Sequence, residues 1–351
     1  MIRVVGIDPG TLSIDVCGLA DGQIYLDHSW PTAEALADPS AFINLLKASG
    51  TPDLVVGPSG YGLPLRWVRD ATEDDLRLAF LAPAGETGGI GGLRTLARQL
   101  GESGLPVVFV PGVIHLDTVP THRKLNRVDL GTADKLCGAA LGIHEQSIRR
   151  GHEPERASFI LIELGGAFTA GVAVEDGQIV DGVGGTSGPI GWRAAGALDG
   201  EVAFLSGSVT KSALFHGGVT SLLDRNPEHA AVGTQAYIEG AVKTVRQLHC
   251  SAPSADEIFL SGRNSARSEI RSRIESVLAD IGPVRPLSGA AALAKQGAEG
   301  AARLADGLAG GAGQGLVDRL RIRQARGTVL DNLLFVSPEA ARLRLGIGGH
   351  G

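Results

Sequence analysis

One pattern in this chain occurs twice. In the first half a short strand, Arg3–Ile7, runs into Asp8-Pro9-Gly10-Thr11. A second strand follows at Ile14–Ala20, and Asp21-Gly22 turns the chain into a third at Gln23–His28. In the second half Ser158–Leu164 runs into Gly165-Gly166, Phe168–Val174 follows, and Asp176-Gly177 leads into Gln178–Asp181. An Asp-Gly pair between strand-like runs is a strong hairpin signal, because both central residues of a type I′ turn need positive φ. Little sequence identity remains between the two copies, so the repeat predicts a duplicated architecture: an α/β protein of two similar domains, each a mixed sheet flanked by helices.

The rest of the chain is assigned around that frame. Leu54–Gly57, Val107–Val110 and Glu257–Leu260 are expected as strands, and Ala41–Lys47, Gln235–His249 and Ser265–Ile281 as helices. Between Asp129 and Arg150, apolar residues at Leu136, Ala139, Ala140, Ile143 and Ile148 predict a long helix that crosses between the domains. The small-residue run Gly289–Leu304 is expected to be helical, Gly307–Gly315 to be a flexible joint, and the tail to carry a helix near Ser337–Leu345. The resulting division is an N-terminal domain at 1–148, a C-terminal domain at 149–306, and a tail at 307–351 that packs back on the body.

Composition removes several function classes. With 351 residues, the chain has enough material for two cores. A net charge of −6 supplies no basic excess to neutralise phosphates, which argues against a nucleic-acid partner. Cys17, Cys137 and Cys250 form no metal spacing, which disfavours zinc ribbons and iron–sulfur sites and fits a reducing cytoplasm. His115 and His122 flank Pro120 in a loop-rich region and are read as non-metal. The opening MIRVVGIDPG starts directly with a strand and shows no signal-peptide pattern. The most apolar stretch, Phe159–Val174, contains Glu163 and is too short for a membrane span. The expected partner is a small-molecule substrate, with neither nucleic acid nor membrane, and a homodimer stands as an assembly option.

Five glycine-bearing segments follow in order: VVGIDPGT (Val4–Thr11), DLGTADK (Asp129–Lys135), LIELGGAFT (Leu161–Thr169), FLSGRN (Phe259–Asn264) and LSGAAAL (Leu287–Leu293). In order and spacing they resemble the first phosphate, first connecting, second phosphate, adenosine and second connecting motifs of the superfamily of acetate and sugar kinases, Hsp70 chaperones and actin. The resemblance spans roughly residues 1–305. It implies two actin-like (ribonuclease H-like) domains with ATP and Mg²⁺ in the cleft between them. Within that superfamily, VPTHRKLNRVDLGTADK (Val119–Lys135) and GGTSGPIGWRAAGALDGEV (Gly184–Val202) are similar to a small family described as predicted butyrate kinases. That likeness implies an ATP-dependent kinase that turns a short-chain carboxylic acid into an acyl phosphate. The second phosphate motif usually carries Asp before its glycine pair, where this chain has Glu163.

The residue chemistry fits those expectations. Phosphoryl transfer needs a phosphate cradle, a metal ion and an in-line acceptor. Asp8, at a strand end, is a candidate metal ligand and catalytic residue. Gly10, Thr11 and Ser13 would cup phosphate, with Gly165, Gly166 and Thr169 as the matching cup and Glu163 as the second metal candidate. Gly262 and Arg263 are candidates for the base and phosphates, and Gly289 for close packing near the nucleotide. Arg123 and Arg127 are candidates to grip an acceptor carboxylate, and Asp134 (or Asp129) to act as base toward a hydroxyl acceptor. Thr186, Ser187 and Trp192 are candidate substrate-pocket residues. Each also has a plain structural explanation: a Pro-Gly turn, a solvated arginine loop, an Asp helix cap. Two rivals share the fold, a kinase of a hydroxylated metabolite and a non-catalytic nucleotide-binding regulator. An ATPase that activates a radical enzyme would need hinge cysteines that Cys137 alone does not supply.

Overall fold

The protein is described here from a computed structural model, which covers residues 1–57, 59–82 and 90–348. The antiparallel meander β1 (Arg3–Pro9), β2 (Ser13–Ala20) and β3 (Gln23–Pro31) opens the first sheet. To it are added β4 (Leu54–Val56), β5 (Arg66–Trp67) and β6 (Val107–Phe109), in the order β3-β2-β1-β4-β6-β5. β4 runs parallel to β1 and β6 parallel to β4, while β5 is an antiparallel edge. The second sheet has the meander β7 (Phe159–Leu164), β8 (Thr169–Glu175) and β9 (Gln178–Val183), extended by β10 (Ile258–Ser261) and β11 (Val284–Pro286) in the order β11-β10-β7-β8-β9. There too β10 and β11 are parallel to the first strand of the meander. Apart from edge strand β5, the two sheets match strand for strand, and the duplicated α/β class expected from the repeat is what the structure has. Asp21 and Gly22 (φ 45° and 80°) and Asp176 and Gly177 (φ 50° and 72°) make the two equivalent turns.

β7 is buried on both faces, which explains its unbroken apolar sequence FILIEL. Phe159 and Leu161 join a core with the first sheet, while Ile160, Ile162 and Leu164 join a second core with Tyr237, Val245 and Leu248. Two helices lie in the first core. The bridging helix Ala133–Arg150 leads from one sheet to the other, and the closing helix Gln296–Leu308 returns against both β1 and the bridging helix. Backbone contact there needs glycine: a Cβ on Gly6 would overlap Ala298 and Ala302, and one on Gly300 would overlap Cys137.

Three expectations are corrected. The helix anticipated from Gly289 begins at Gln296. The reason is hydrogen-bond accounting. The amide of Gly289 donates to Glu145, those of Ala290 and Ala291 to Glu299 (2.6 and 3.1 Å), and those of Ala292, Leu293 and Ala294 to Asp27 (2.7, 3.0 and 2.7 Å). Carboxylates from three different elements thus hold this segment as a bent, non-helical strap. The bridging helix begins at Ala133 rather than Asp129, because Asp129 is buried and accepts from the Gly131 amide in the preceding turn. The expected joint at Gly307–Gly315 is a tight turn in which buried Asp306 accepts from the Gly313 amide at 2.8 Å.

Beyond that turn, Leu316, Val317, Leu320, Ile322, Val329 and Leu330 are buried in the first core, and Arg77 donates to the Gly346 carbonyl. Residues 349–351 of the tail lie outside the described residues. Among the described residues no helix is long and apolar enough to cross a membrane.

Gly300→Ala is expected to cost about 3 kcal/mol in urea unfolding, as an overpacked backbone contact. Gly315→Ala, where an added Cβ meets nothing within 4 Å, is expected to stay within about 0.5 kcal/mol of the parent. Equal effects at the two positions would mean that the closing helix is not tightly seated.

Candidate active site

The first strands of the two meanders end at the same cleft, of about 750 Å³. Asp8 stands near the end of β1, and Glu163 stands in the corresponding place in β7. The turns that follow, Gly10–Leu12 and Gly165–Phe168, face one another so closely that a Cβ on Gly166 would lie 3.5 Å from Leu12 Cδ1. Both turns are closed by backbone hydrogen bonds, Gly10 N–H to Asp8 O (3.1 Å) and Gly165 N–H to Phe168 O (3.0 Å). Asn264 Nδ2 braces the second by donating to the Gly165 carbonyl at 2.8 Å. Gly297, in the first turn of the closing helix, lets that helix approach Asp8: a Cβ there would lie 2.6 Å from the carboxylate.

The start of the bridging helix brings Asp134 and Lys135 into the cleft. Asp134 accepts from Thr132 Oγ1 and from Lys135 Nζ, and Lys135 Nζ also lies 3.0 Å from Glu163. From the end of the strap, Lys295 Nζ reaches 2.8 Å from Asp15 and 3.4 Å from the Ser13 carbonyl. Ser13 Oγ itself donates to Asp15 at 2.8 Å. Arg263, exposed, opens the turn after β10, where Gly262 (φ 83°) passes within 2.7 Å, Cβ to backbone, of Leu164.

These charges perturb one another. Burial, then Asp134 and Glu163, push the Asp8 carboxyl up from 3.8 to about 7 against the pull of Lys295 and Lys135. Burial also opposes the charge on Asp134, but Lys135 and Thr132 outweigh it and hold Asp134 below the ordinary carboxylate range. Lys135 is raised despite burial, because Asp134 and Glu163 favour its charged form. Lys295 is raised likewise by Asp8 and Asp15 against the effect of burial. Among the described residues no group of three or more His, Cys, Asp or Glu is arranged as a ready metal cage.

Of the residues singled out from the sequence, the cleft brings together Asp8, Gly10, Thr11, Ser13, Asp134, Glu163, Gly165, Gly166, Gly262 and Arg263. The others lie elsewhere. Arg123 is carried by a short helix, Thr121–Lys124, onto β9, where it donates to the Val180 carbonyl at 2.7 Å and faces Asp181 at 3.8 Å. Arg127 is exposed, its amide bonded to Lys124 O. Thr186 and Ser187 wrap Asp129. The Thr186 amide and hydroxyl donate to its carboxylate at 3.0 and 2.9 Å, and the Ser187 hydroxyl donates to its carbonyl. This loop spends its hydroxyls on Asp129, which does not line the cleft. Trp192 packs edge-on against Tyr237 with Arg267 over its ring, in the second core. Thr169 is fully buried, and Gly289 (φ 66°) belongs to the strap behind the cleft wall. Lys135 and Lys295 were not singled out from the sequence. Lys135 directly follows Asp134, and Lys295 stands two residues beyond the last glycine segment, so a search for cations flanking those segments would have found both.

A raised carboxyl favours the protonated form in the folded state. The stability it confers is full below 3.8 and is lost as pH rises through about 7. Asp8→Asn is therefore expected to gain in Tm over the parent as pH rises through that window, read by differential scanning fluorimetry. A difference in Tm that does not change with pH would contradict a buried, charge-crowded Asp8.

Comparison with known proteins places these features in context. The chain belongs to the family described as "Protein of unknown function (DUF1464)", whose model matches residues 6–335. No curated protein sequence matches it. Among solved structures it is similar to acetate kinase from Entamoeba histolytica, at 12% identity over 80% of this chain and 87% of that one, with a TM-score of 0.57. It is also similar to a propionate kinase from Francisella tularensis, at 14% identity over 80% and 89% with a TM-score of 0.56. A third is acetate kinase from Porphyromonas gingivalis, at 13% identity over 80% and 88% with a TM-score of 0.55. The two-sheet architecture is therefore the fold of the acetate and propionate kinases.

Proposed function

We propose that this member of the DUF1464 family is an ATP-dependent phosphotransferase whose acceptor is a short-chain carboxylic acid such as butyrate, made into an acyl phosphate. One observation carries the reading: two equivalent glycine turns, Gly10–Leu12 and Gly165–Phe168, face each other across one cleft with acidic and lysine side chains between them. Turns of this kind offer backbone amides to phosphate oxygens from two sides. Gly262 and Arg263 border the same cleft on the side of β10, where the adenosine would lie. The acceptor class is supported by the shared fold with acetate and propionate kinases, whose names state such acceptors. The arginine argument for a carboxylate no longer contributes, since neither Arg123 nor Arg127 lines the cleft.

In this reaction an acceptor carboxylate oxygen attacks the terminal phosphorus. The bond to the bridging oxygen breaks, and ADP leaves with the electron pair. No general base is required, because the acceptor is already ionised; positioning and charge neutralisation do the work. The donor set suits Mg²⁺: hard carboxylate oxygens of Asp8 and Glu163 line the same cleft, and burial together with the charges of Asp134 and Glu163 holds the carboxyl of Asp8 up. Those two residues would hold the ion, which supplies neutralisation of phosphate charge. Asp134, kept ionised by Lys135, fixes that lysine against Glu163 and so ties the bridging helix to β7. Closure of the domains 1–148 and 149–306 about the cleft would exclude water and spare ATP from hydrolysis.

A second reading draws on one feature. With its carboxyl near 7, Asp8 has the proton affinity of a general base, which only a hydroxyl acceptor would need. Coupled ADP release over a panel of short-chain acids and hydroxylated metabolites, with hydroxylamine trapping of acyl phosphate, separates the two. Turnover with an acid plus a trapped hydroxamate is expected. ADP release with an alcohol and no hydroxamate would favour the second reading, and ATP-induced thermal stabilisation without turnover on any acceptor would leave a nucleotide-binding regulator. Asp134→Asn is expected to lower kcat on the order of 100-fold, with a smaller change in KM.

A further inference from the structure

The cations lining the cleft among the described residues are Lys135, Arg263 and Lys295. They differ in what holds them. Lys135 contacts both Asp134 and Glu163, and its side chain is only 14% exposed. Arg263 lies in the turn after β10 and is exposed. Lys295 is placed differently. Its ammonium occupies the space beside Gly10 where a Cβ would be, so any side chain at position 10 would displace it. On one side it is fixed by Asp15, which is 1% exposed and 2.8 Å away; on the other it opens to the cleft, with its side chain 41% exposed.

From this arrangement, and resting on the phosphotransferase reading above, we infer that Lys295 is the residue that binds the terminal phosphate of ATP, with Asp15 as its positioning residue. The strap explains how a lysine can serve. The backbone before it, Gly289 to Ala294, is clamped by Glu145, Glu299 and Asp27, so the stem of the side chain starts from a fixed point. A donor held in place before substrate arrives costs little reorganisation when charge develops on the phosphoryl group. A compact ammonium also suits a single-point contact to a phosphate oxygen. Gly10, whose own amide closes the turn onto the Asp8 carbonyl, then serves to leave room for the ammonium. The Asp15 contact accounts for the buried carboxylate in β2, directly opposite Asp8 in the β1–β2 register.

The test compares two probes, ADP and the β,γ-imido analogue of ATP, each titrated calorimetrically with Mg²⁺ into the full chain. Lys295→Met keeps the apolar stem and removes the charge. It is expected to weaken the imido analogue about 10-fold or more while leaving ADP within about 2-fold, and to lower kcat on the order of 100-fold. Lys295→Arg is expected to recover part of the discrimination. Because Lys295→Met strands a buried Asp15, the double variant Lys295→Met/Asp15→Asn is measured alongside; it should regain Tm without regaining discrimination, which a purely structural ion pair would not produce. Equal weakening of both nucleotides, or none, in a variant of a parent that binds both would overturn the inference and leave the phosphotransferase reading standing. A parent that binds neither nucleotide would remove that reading and the inference together.

Discussion

The packing of one helix organises this molecule. Gln296–Leu308 comes from the end of the fold yet lies against β1, its beginning, and against the bridging helix. Both contacts are at backbone distance, made possible by Gly6 on the strand and Gly300 on the helix itself. Interiors are packed too densely for such an approach to tolerate even a methyl group without a shift. Four of the charged groups of the cleft hang from these three elements: Asp8 on β1, Asp134 and Lys135 at the head of the bridging helix, Lys295 just before the closing helix. Gly297 extends the same contact to Asp8.

The electrostatics of the cleft follow from that crowding. Asp8, Asp134 and Glu163 are brought into one partly buried space with two lysines, and the lysines do not satisfy all three equally. Asp134 takes most of Lys135 and stays ionised, whereas Asp8 has no hydrogen-bonded cation among the described residues, and burial with the charges of Asp134 and Glu163 raises its carboxyl. Opposed proton affinities among neighbouring carboxyls are a recurrent mark of functional sites, since stability alone would favour pairing or removing them. The strap shows the contrary policy. Its amides are taken up by carboxylates from three elements, in places where a helix would have satisfied them locally, and the result is a fixed platform for Lys295.

The acidic and glycine-bearing half of the site was legible because it repeats. Asp8 with Gly10 and Glu163 with Gly165 occur at the same place in two copies of one strand–turn–strand unit, and the Asp-Gly hairpins announce the copies. The basic half does not repeat. Arg123 and Arg127 were legible as cations, but their direction is set by a short helix after Pro120 that turns Arg123 onto β9. Thr186 and Ser187 were legible as hydroxyl donors, but Asp129, far away in sequence, uses them. Lys295 was legible only as a cation flanking the last glycine segment; its place in the cleft was not, since the carboxylates that hold the chain before it come from Asp27, Glu145 and Glu299.

By itself, then, the amino-acid order determined the duplicated α/β framework, its hairpins and the strand ends that bear Asp8 and Glu163, because hydrophobic period and turn chemistry act between near neighbours. Tertiary structure alone decided which cations meet those carboxylates, where the closing helix starts, and which hydroxyls are already spent. Those outcomes depend on hydrogen bonds and close backbone approaches between residues far apart in the chain, and no local pattern encodes the distance between such residues.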